Sequence, residues 1–549
     1  MKTVTLAPSR TTIPQALESF FRWRWAAPFS FIIIALIIWR CVYGDYGITW
    51  DETPHVIYGK AVYTYFTTAQ SFADLSASLI PKTEFYSPAL DFICAAVAKN
   101  LSMDDFAAKH AILGLLWVSM FWPVCRLGAY LRGPAAAWFA GLALFGMPSI
   151  YGHAFNNPKD LPLACVAVWL LLAVVWSSKA RVLGWRQALA LGFGMGAVLM
   201  IRPGAWFLIA LWGLVPLSHL WRSWRFKTNP LPATAARSVL VGLGATAIAY
   251  LCMISLWPHA QHHPVDIPLR AVMFARNFDE VYPVLYRGIT FQSNDLPRDY
   301  LAGYLFFTLP IPIVALFLTG QVAALARLKR RVFSWAPTLG TAFLIWFPIT
   351  FVAVMRPNIY DGLRHFLFML PAVAILAGAG ASWLLVQLQK KLPAAASYIV
   401  VVVLLLSALP SVVRLHPYQV AYYNFAAGPS NTLHARFETD FWISSFREAA
   451  EWINQQPVPP DHHPIVLVSA TGFSHNAFTH FLNPSIQSVA AVGNFQNKNL
   501  DPRIDYYVGM VRYGQNLNFP SLPIVHRIER DGVLLCVIRR NSPTDTTHP

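Results

Sequence analysis

Two adjacent carboxylates are the first residues in this chain whose types and spacing can do chemistry. They lie in Thr49-Trp50-Asp51-Glu52-Thr53-Pro54-His55, just past an apolar run. A carboxylate held near a substrate hydroxyl and partly shielded from water can take that hydroxyl's proton. The same residues can cap a helix beginning near Pro54, with Asp51 accepting the free N–H groups of its first turn. The two roles are compatible, because a cap also fixes a carboxylate in place. A second set, His153-Ala154-Phe155-Asn156-Asn157-Pro158-Lys159-Asp160, puts another acid at a helix start beside a lysine that can hold a phosphate as a point charge. A third, Asp361-Gly362-Leu363-Arg364-His365, places cations just before an apolar run. There an arginine serves an anionic headgroup or a phosphate, or simply snorkels from a helix end. His259, His262 and His263 match no zinc-binding spacing and read as a solvated loop. The chain has no Walker A, GxGxxG or GxSxG motif, so nucleotide-dependent and serine-hydrolase chemistry have no support.

The elements that position these residues follow from composition. Of 549 residues, 56% are hydrophobic and only 12% charged, against roughly a quarter charged in a soluble domain. With a mean hydropathy of +0.45, the chain reads as a polytopic α-helical membrane protein. Apolar runs mark about eleven transmembrane helices, each near the length needed to cross about 30 Å of hydrocarbon. They cover 26–43, 111–130, 135–151, 161–177, 187–200, 205–217, 238–257, 300–323, 334–354, 366–385 and 394–412. The break at Arg202-Pro203-Gly204 turns the fifth and sixth into a tight hairpin.

The net charge of +16 tests this map. With a cytoplasmic N-terminus, the inner loops carry Lys2/Arg10/Arg22/Arg24, Arg126/Arg132, Lys179/Arg181/Arg186, Arg222/Arg225/Lys227/Arg237, Arg327/Lys329/Arg330/Arg331 and Lys390/Lys391. Their only acid is Glu18. This is the positive-inside pattern, and it accounts for the charge without nucleic acid. The six cysteines have no CxxC pairing and read as small buried hydrophobes. The first apolar run lacks a small-x-small exit and reads as an uncleaved anchor. Spans free of deep charges argue against ion-coupled transport and put any chemistry on the outer face.

That face comprises a long first loop (44–110) with interfacial helices at 56–67 and 88–101, shorter loops, and a tail of distinct composition. In the tail, Phe446 to Asn454 has one apolar helical face, 464–469 and 504–511 read as strands, and 524–529 and 533–539 flank an Asp531-Gly532 turn. We therefore divide the chain into a transmembrane domain (1–413) and a small C-terminal α/β extracytoplasmic domain (414–549), disordered after about residue 540.

Taken together, these fragments resemble a known family. The Asp51-Glu52 pair in a long first outer loop, the amphipathic helices after it and the acid in outer loop two are similar to the GT-C class of membrane glycosyltransferases. Within it, the resemblance is to the protein O-mannosyltransferase-like group (glycosyltransferase family 39), which includes the lipid A aminoarabinose transferases. Asn157-Pro158-Lys159-Asp160, Leu296-Pro297-Arg298-Asp299-Tyr300, Gly362-Leu363-Arg364-His365-Phe366 and Phe437-Glu438-Thr439-Asp440 carry it further.

The resemblance implies a polyprenyl-phosphate-linked sugar donor and inverting transfer to a lipid or glycan acceptor, with a protein acceptor still open, at a bacterial inner membrane. It implies Asp51 as the base, Glu52 as its support, Asp160 as the second acidic position, and Lys159, Arg364 and His365 around the donor phosphate. No cofactor is expected and no metal ligands are assigned; because Asp51-Glu52 is not an Asp-x-Asp pair, dependence on a divalent metal stays open. A lipid-linked sugar flippase and an inert membrane scaffold share the topology; uncharged spans count against the first, and tolerance of a lost Asp51 would mark the second.

Overall fold

The computed structural model describes residues 25–276, 280–328, 335–458 and 462–541. The expected disorder after residue 540 falls almost wholly outside them, as do the basic residues before Trp25 and Lys329 to Arg331. Eight described helices are long and apolar enough to cross a membrane, and three shorter apolar helices (Ala26–Val42, Pro134–Phe145, Trp185–Ile201) accompany them. Apart from 300–323, each of the apolar runs read from the sequence overlaps one of these helices, and the chain is an integral membrane protein. All six cysteines are free; Cys41 is exposed and four are buried.

Met369–Leu388 forms the centre of the bundle, with every residue from Met369 to Ser382 buried. Its close partner is Ile311–Leu328. A Cβ on Gly320 would meet the Leu376 carbonyl oxygen at 1.8 Å, and one on Gly380 the Leu316 oxygen at 1.9 Å. Glycines facing each other this way let two helix backbones touch, which is how helices associate where lipid removes the hydrophobic drive.

The expected span 300–323 is instead two helices, Tyr300–Phe307 and Ile311–Leu328, broken before Pro310. The break leaves carbonyls without helical donors. Asn424 satisfies them: its side chain donates to Phe306 O (2.6 Å) and Leu309 O (2.9 Å), and its N–H to Phe307 O (2.8 Å). A broken helix is tolerated at membrane depth only where such partners exist. Here they also tie the C-terminal part of the chain to the bundle.

That part is built on a five-stranded sheet of β3 (Ile465–Val468), β4 (Gln487–Ala490), β5 (Tyr506–Met510), β6 (Ile524–Arg530) and β7 (Val533–Arg540), in the order β4-β3-β5-β7-β6. β4, β3 and β5 run parallel; β7 and β6 add antiparallel, joined through Asp531 and Gly532, both at positive φ as a tight hairpin requires. Phe446–Asn454 is the expected helix, burying Phe446, Ala449, Ala450 and Ile453. Sequence reading missed β4, whose half-exposed residues give no apolar run, and the hairpin of β1 (Pro283–Tyr286) and β2 (Ile289–Gln292) in the outer loop before Tyr300. His259 is also not a solvated loop residue: it is buried, against Phe72 and Ser76.

Candidate active site

Asp51 precedes the helix Glu52–Thr67, which begins earlier than Pro54. It makes no capping hydrogen bond. Glu52 does the local work instead. It is fully buried, its Oε2 accepting from Thr49 N–H (2.8 Å) and Thr49 Oγ1 (3.2 Å) while His110 Nε2 lies 2.9 Å from Oε1. The two neighbouring carboxylates therefore separate: Glu52 holds the chain turn, and Asp51 is left for other partners.

Asp51 lies on the wall of a cavity of about 420 Å3 with Trp50, Tyr360, Arg364, Arg512 and Tyr513. Its side chain is 35% exposed, and Oδ2 accepts from Arg364 Nη1 at 2.6 Å. Arg364 is itself fixed: Nε lies 3.2 Å from Asp361 Oδ2, and the guanidinium stands 5.1 Å over the Tyr360 ring and 5.0 Å over that of Trp442. Asp361 and Gly362 both take positive φ, bending the loop so that one acid reaches two arginines. The Gly362 N–H donates to Tyr300 Oη at 3.0 Å, which holds the bend against the helix Tyr300–Phe307. Burial works against the Arg364 charge, but Asp361 and Asp51 outweigh it and hold the group firmly protonated.

Asp160 is buried with Oδ1 3.0 Å from Arg202 Nη1. Asn157, and not Asp160, caps the helix Asp160–Lys179, its Oδ1 accepting from the N–H groups of Lys159 (3.2 Å) and Asp160 (2.8 Å). Arg202 was read only as a break between spans. Its signal was present: an arginine directly before a proline is pushed into extended backbone, so it leaves the helix Trp185–Ile201 pointing into the site.

Lys159 lies over the Tyr86 ring at 5.1 Å, with Nζ 4.0 Å from Asp91 Oδ2. Burial pulls its ammonium down to about 8, Asp91 opposing while Lys109 and Arg202 add to the fall. Asp91 belongs more tightly to Lys109 Nζ and His55 Nδ1, each at 2.9 Å. Burial alone would raise its carboxyl, yet Lys109, His55 and Lys159 together hold it far below the usual range. Lys159 is therefore the least committed cation of the site. His365 stands edge-on to Tyr360 and is driven well below its ordinary value by burial, then by Arg364 and Arg202. It is neutral, so it brings no positive charge to a phosphate.

The ion-pair chain continues into the C-terminal part. Asp361 Oδ1 lies 2.6 Å from Arg512 Nη2, and Arg512 Nε 3.6 Å from Glu438 Oε1. The Arg512 guanidinium is sandwiched between Trp50 and Tyr513, 4.7 Å from each ring. Asp440 plays a different part, accepting from the N–H groups of Ser444 and Ser445 at the start of the helix Phe446–Asn454. Asp51, Asp160, Lys159 and Arg364 are thus gathered at one end of the bundle, with Arg202, Asp361 and Arg512 added to them.

Comparison with protein-family models finds no match, and comparison with curated proteins finds none. Among solved structures, the chain is similar to the oligosaccharyltransferase AglB of Archaeoglobus fulgidus in complex with an inhibitory peptide and a dolichol-phosphate: TM-score 0.48, 13% identity, 88% of this chain and 69% of that one. It is similar to ArnT from Cupriavidus metallidurans with TM-score 0.46 and 13% identity over 93% and 97% of the two chains. It is also similar to the mycobacterial arabinofuranosyltransferase AftD, with TM-score 0.43 and 13% identity over 94% and 41%.

Proposed function

We propose that this chain is a membrane glycosyltransferase that moves a sugar from a polyprenyl-phosphate carrier to an acceptor hydroxyl, with Asp51 as the general base. The observation that supports this most is the release of Asp51 from helix capping into a cavity walled by arginines. In this reading residues 1–413 are the transferase domain and 414–549 an extracytoplasmic domain. The end bearing Asp51 faces away from the cytoplasm at a bacterial inner membrane.

The acceptor oxygen bonds to the anomeric carbon as the bond from that carbon to the phosphate oxygen breaks on the opposite side, inverting the centre. Asp51 takes the hydroxyl proton, and the departing polyprenyl phosphate keeps the electron pair. Charge grows on that phosphate, so fixed cations placed there lower the barrier. Lys159 is the first such cation, since Asp91 holds it loosely, and Arg202 and Arg364 are the next. An arriving phosphate competes for Arg364 and frees the Asp51 carboxylate to accept a proton. Asp160 orients Arg202, and Glu52 fixes the turn that presents Asp51.

The test is release of free polyprenyl phosphate from a panel of polyprenyl-phosphate sugars by the purified protein in detergent, with a lipid and glycan extract of its own cells supplying the acceptor hydroxyl. Detergent leaves no second compartment, so the assay reads bond breakage and not transport. Turnover of one donor is expected. Recovery of every carrier intact would refute the proposal and favour a flippase or scaffold.

A further inference from the structure

Beside the Asp51 cavity lies a second one of about 500 Å3, between the β1–β2 hairpin, segment 434–441 and segment 511–517. The two share the wall of Pro283, Arg512 and Tyr513. We propose that this second cavity is the acceptor subsite, and that the part of the acceptor it holds is an uncharged, hydroxyl-rich sugar ring. The inference rests on the transferase reading given above.

Polar atoms left without partners argue for a ligand. Glu438 is 7% exposed, yet its Oε2 has no hydrogen-bond partner among the described residues. His434 Nδ1, also on this lining, is buried without one as well. Each such group costs about 1–3 kcal/mol when left dry, so two around one space call for a partner. Their neighbours are satisfied: Asp440 by Ser444 and Ser445, and Thr439 by the Leu534 carbonyl.

The lining also selects the ligand's chemistry. Arg512 gives Nη2 to Asp361 and Nη1 to the Phe441 carbonyl (2.8 Å), which leaves little of its guanidinium for an anion. Burial pushes the Glu438 carboxyl up, against the pull of Arg512, and its Oε2 is left to bond a hydroxyl. A phosphate or carboxylate would meet Glu438 and Asp440 with no lysine in the lining to hold it. A sugar ring instead offers hydroxyls that both donate and accept, and an apolar face for Phe437, Phe441 and Tyr513. Tyr513 and Gly514 both take positive φ, a backbone that turns the chain sharply where the two cavities meet. An acceptor seated here presents its hydroxyl past Tyr513 and Arg512 toward Asp51.

The test uses the full chain in its own cells, with photoreactive p-benzoylphenylalanine replacing Thr290 on the lining or, as a control, exposed Arg503. After illumination the adduct's mass is read. The expected result is a carbohydrate adduct at position 290 without polyprenyl phosphate, absent at 503, kept in Glu438→Gln and lost in Glu438→Ala. A peptide adduct, a polyprenyl-phosphate adduct, no adduct above the control, or an adduct surviving Glu438→Ala would each overturn the proposal. The donor assay separates the two readings. Donor turnover without a carbohydrate adduct defeats the subsite alone, whereas an adduct without turnover defeats the transferase and leaves a sugar-binding cavity.

Discussion

The same helices end in opposite ways at the two faces of the bundle. Asp105–Arg132 begins with Lys109 and His110, buried on Asp91 and Glu52, and ends with Arg132 near Arg327, which donates to the Leu131 carbonyl at 2.6 Å. Asp160–Lys179 begins with Asp160 on Arg202 and ends near Arg222, which bonds the carbonyls of Ser178 and Ala180. At one face cations meet carboxylates of other segments; at the other they meet backbone oxygens and aromatic rings. Cations resting on carbonyls need only be basic, which suits an orientation signal. Buried pairs linking remote loops demand particular partners, which is where specific chemistry belongs.

Substitutions can break that contrast. The largest effect is expected at Asp91. Asp91→Ala leaves Lys109 buried without its counter-charge, and loss of one buried partner costs about 3–5 kcal/mol. A large fall in melting temperature in detergent is expected, with Asp91→Ala/Lys109→Met recovering much of it; an unchanged melting point would show the pair to be solvated. Next comes Lys159→Ala. A charged hydrogen bond to phosphate is worth about 1.5–3 kcal/mol, so donor turnover at low donor should fall about tenfold to a hundredfold. The pH profile sharpens this. A lysine pulled down to about 8 loses its charge as pH rises through that value, so wild-type affinity for the donor should decline above pH 8. An affinity flat to pH 10 would remove Lys159 from the phosphate site. The smallest effect is at the other face. Arg222→Ala gives up contacts to carbonyls and should change stability by about 1 kcal/mol and donor turnover by little. A turnover loss as large as that of Lys159→Ala would erase the contrast.

How much of this was legible depends on whether the signal is local. The apolar helices are written in continuous runs, and β6 and β7 in alternating residues around Asp531-Gly532. Asp51, Lys159 and Arg364 stand out because each follows or precedes such a run beside a proline or glycine. Their partners do not. Arg512 reaches Asp361 across about 150 residues of chain, and nothing around either residue names the other. The Asp51 and Asp160 caps failed for a related reason: Asn157 took the bond expected of Asp160, and Asp51 turned to a remote arginine, choices the sequence alone ranks poorly. Arg202 was in view and misjudged, because Pro203-Gly204 reads first as a turn.

The central claim is that Asp51 is the proton acceptor, and Asp51→Asn tests it most directly. The variant keeps the side chain's size and a hydrogen-bonding oxygen for Arg364, but cannot take the proton. Sugar transfer from the turned-over donor should fall by about 10²–10⁴, the usual contribution of a general base, at an unchanged melting temperature. Transfer at the wild-type rate would contradict the account and move the search for the base to Asp160.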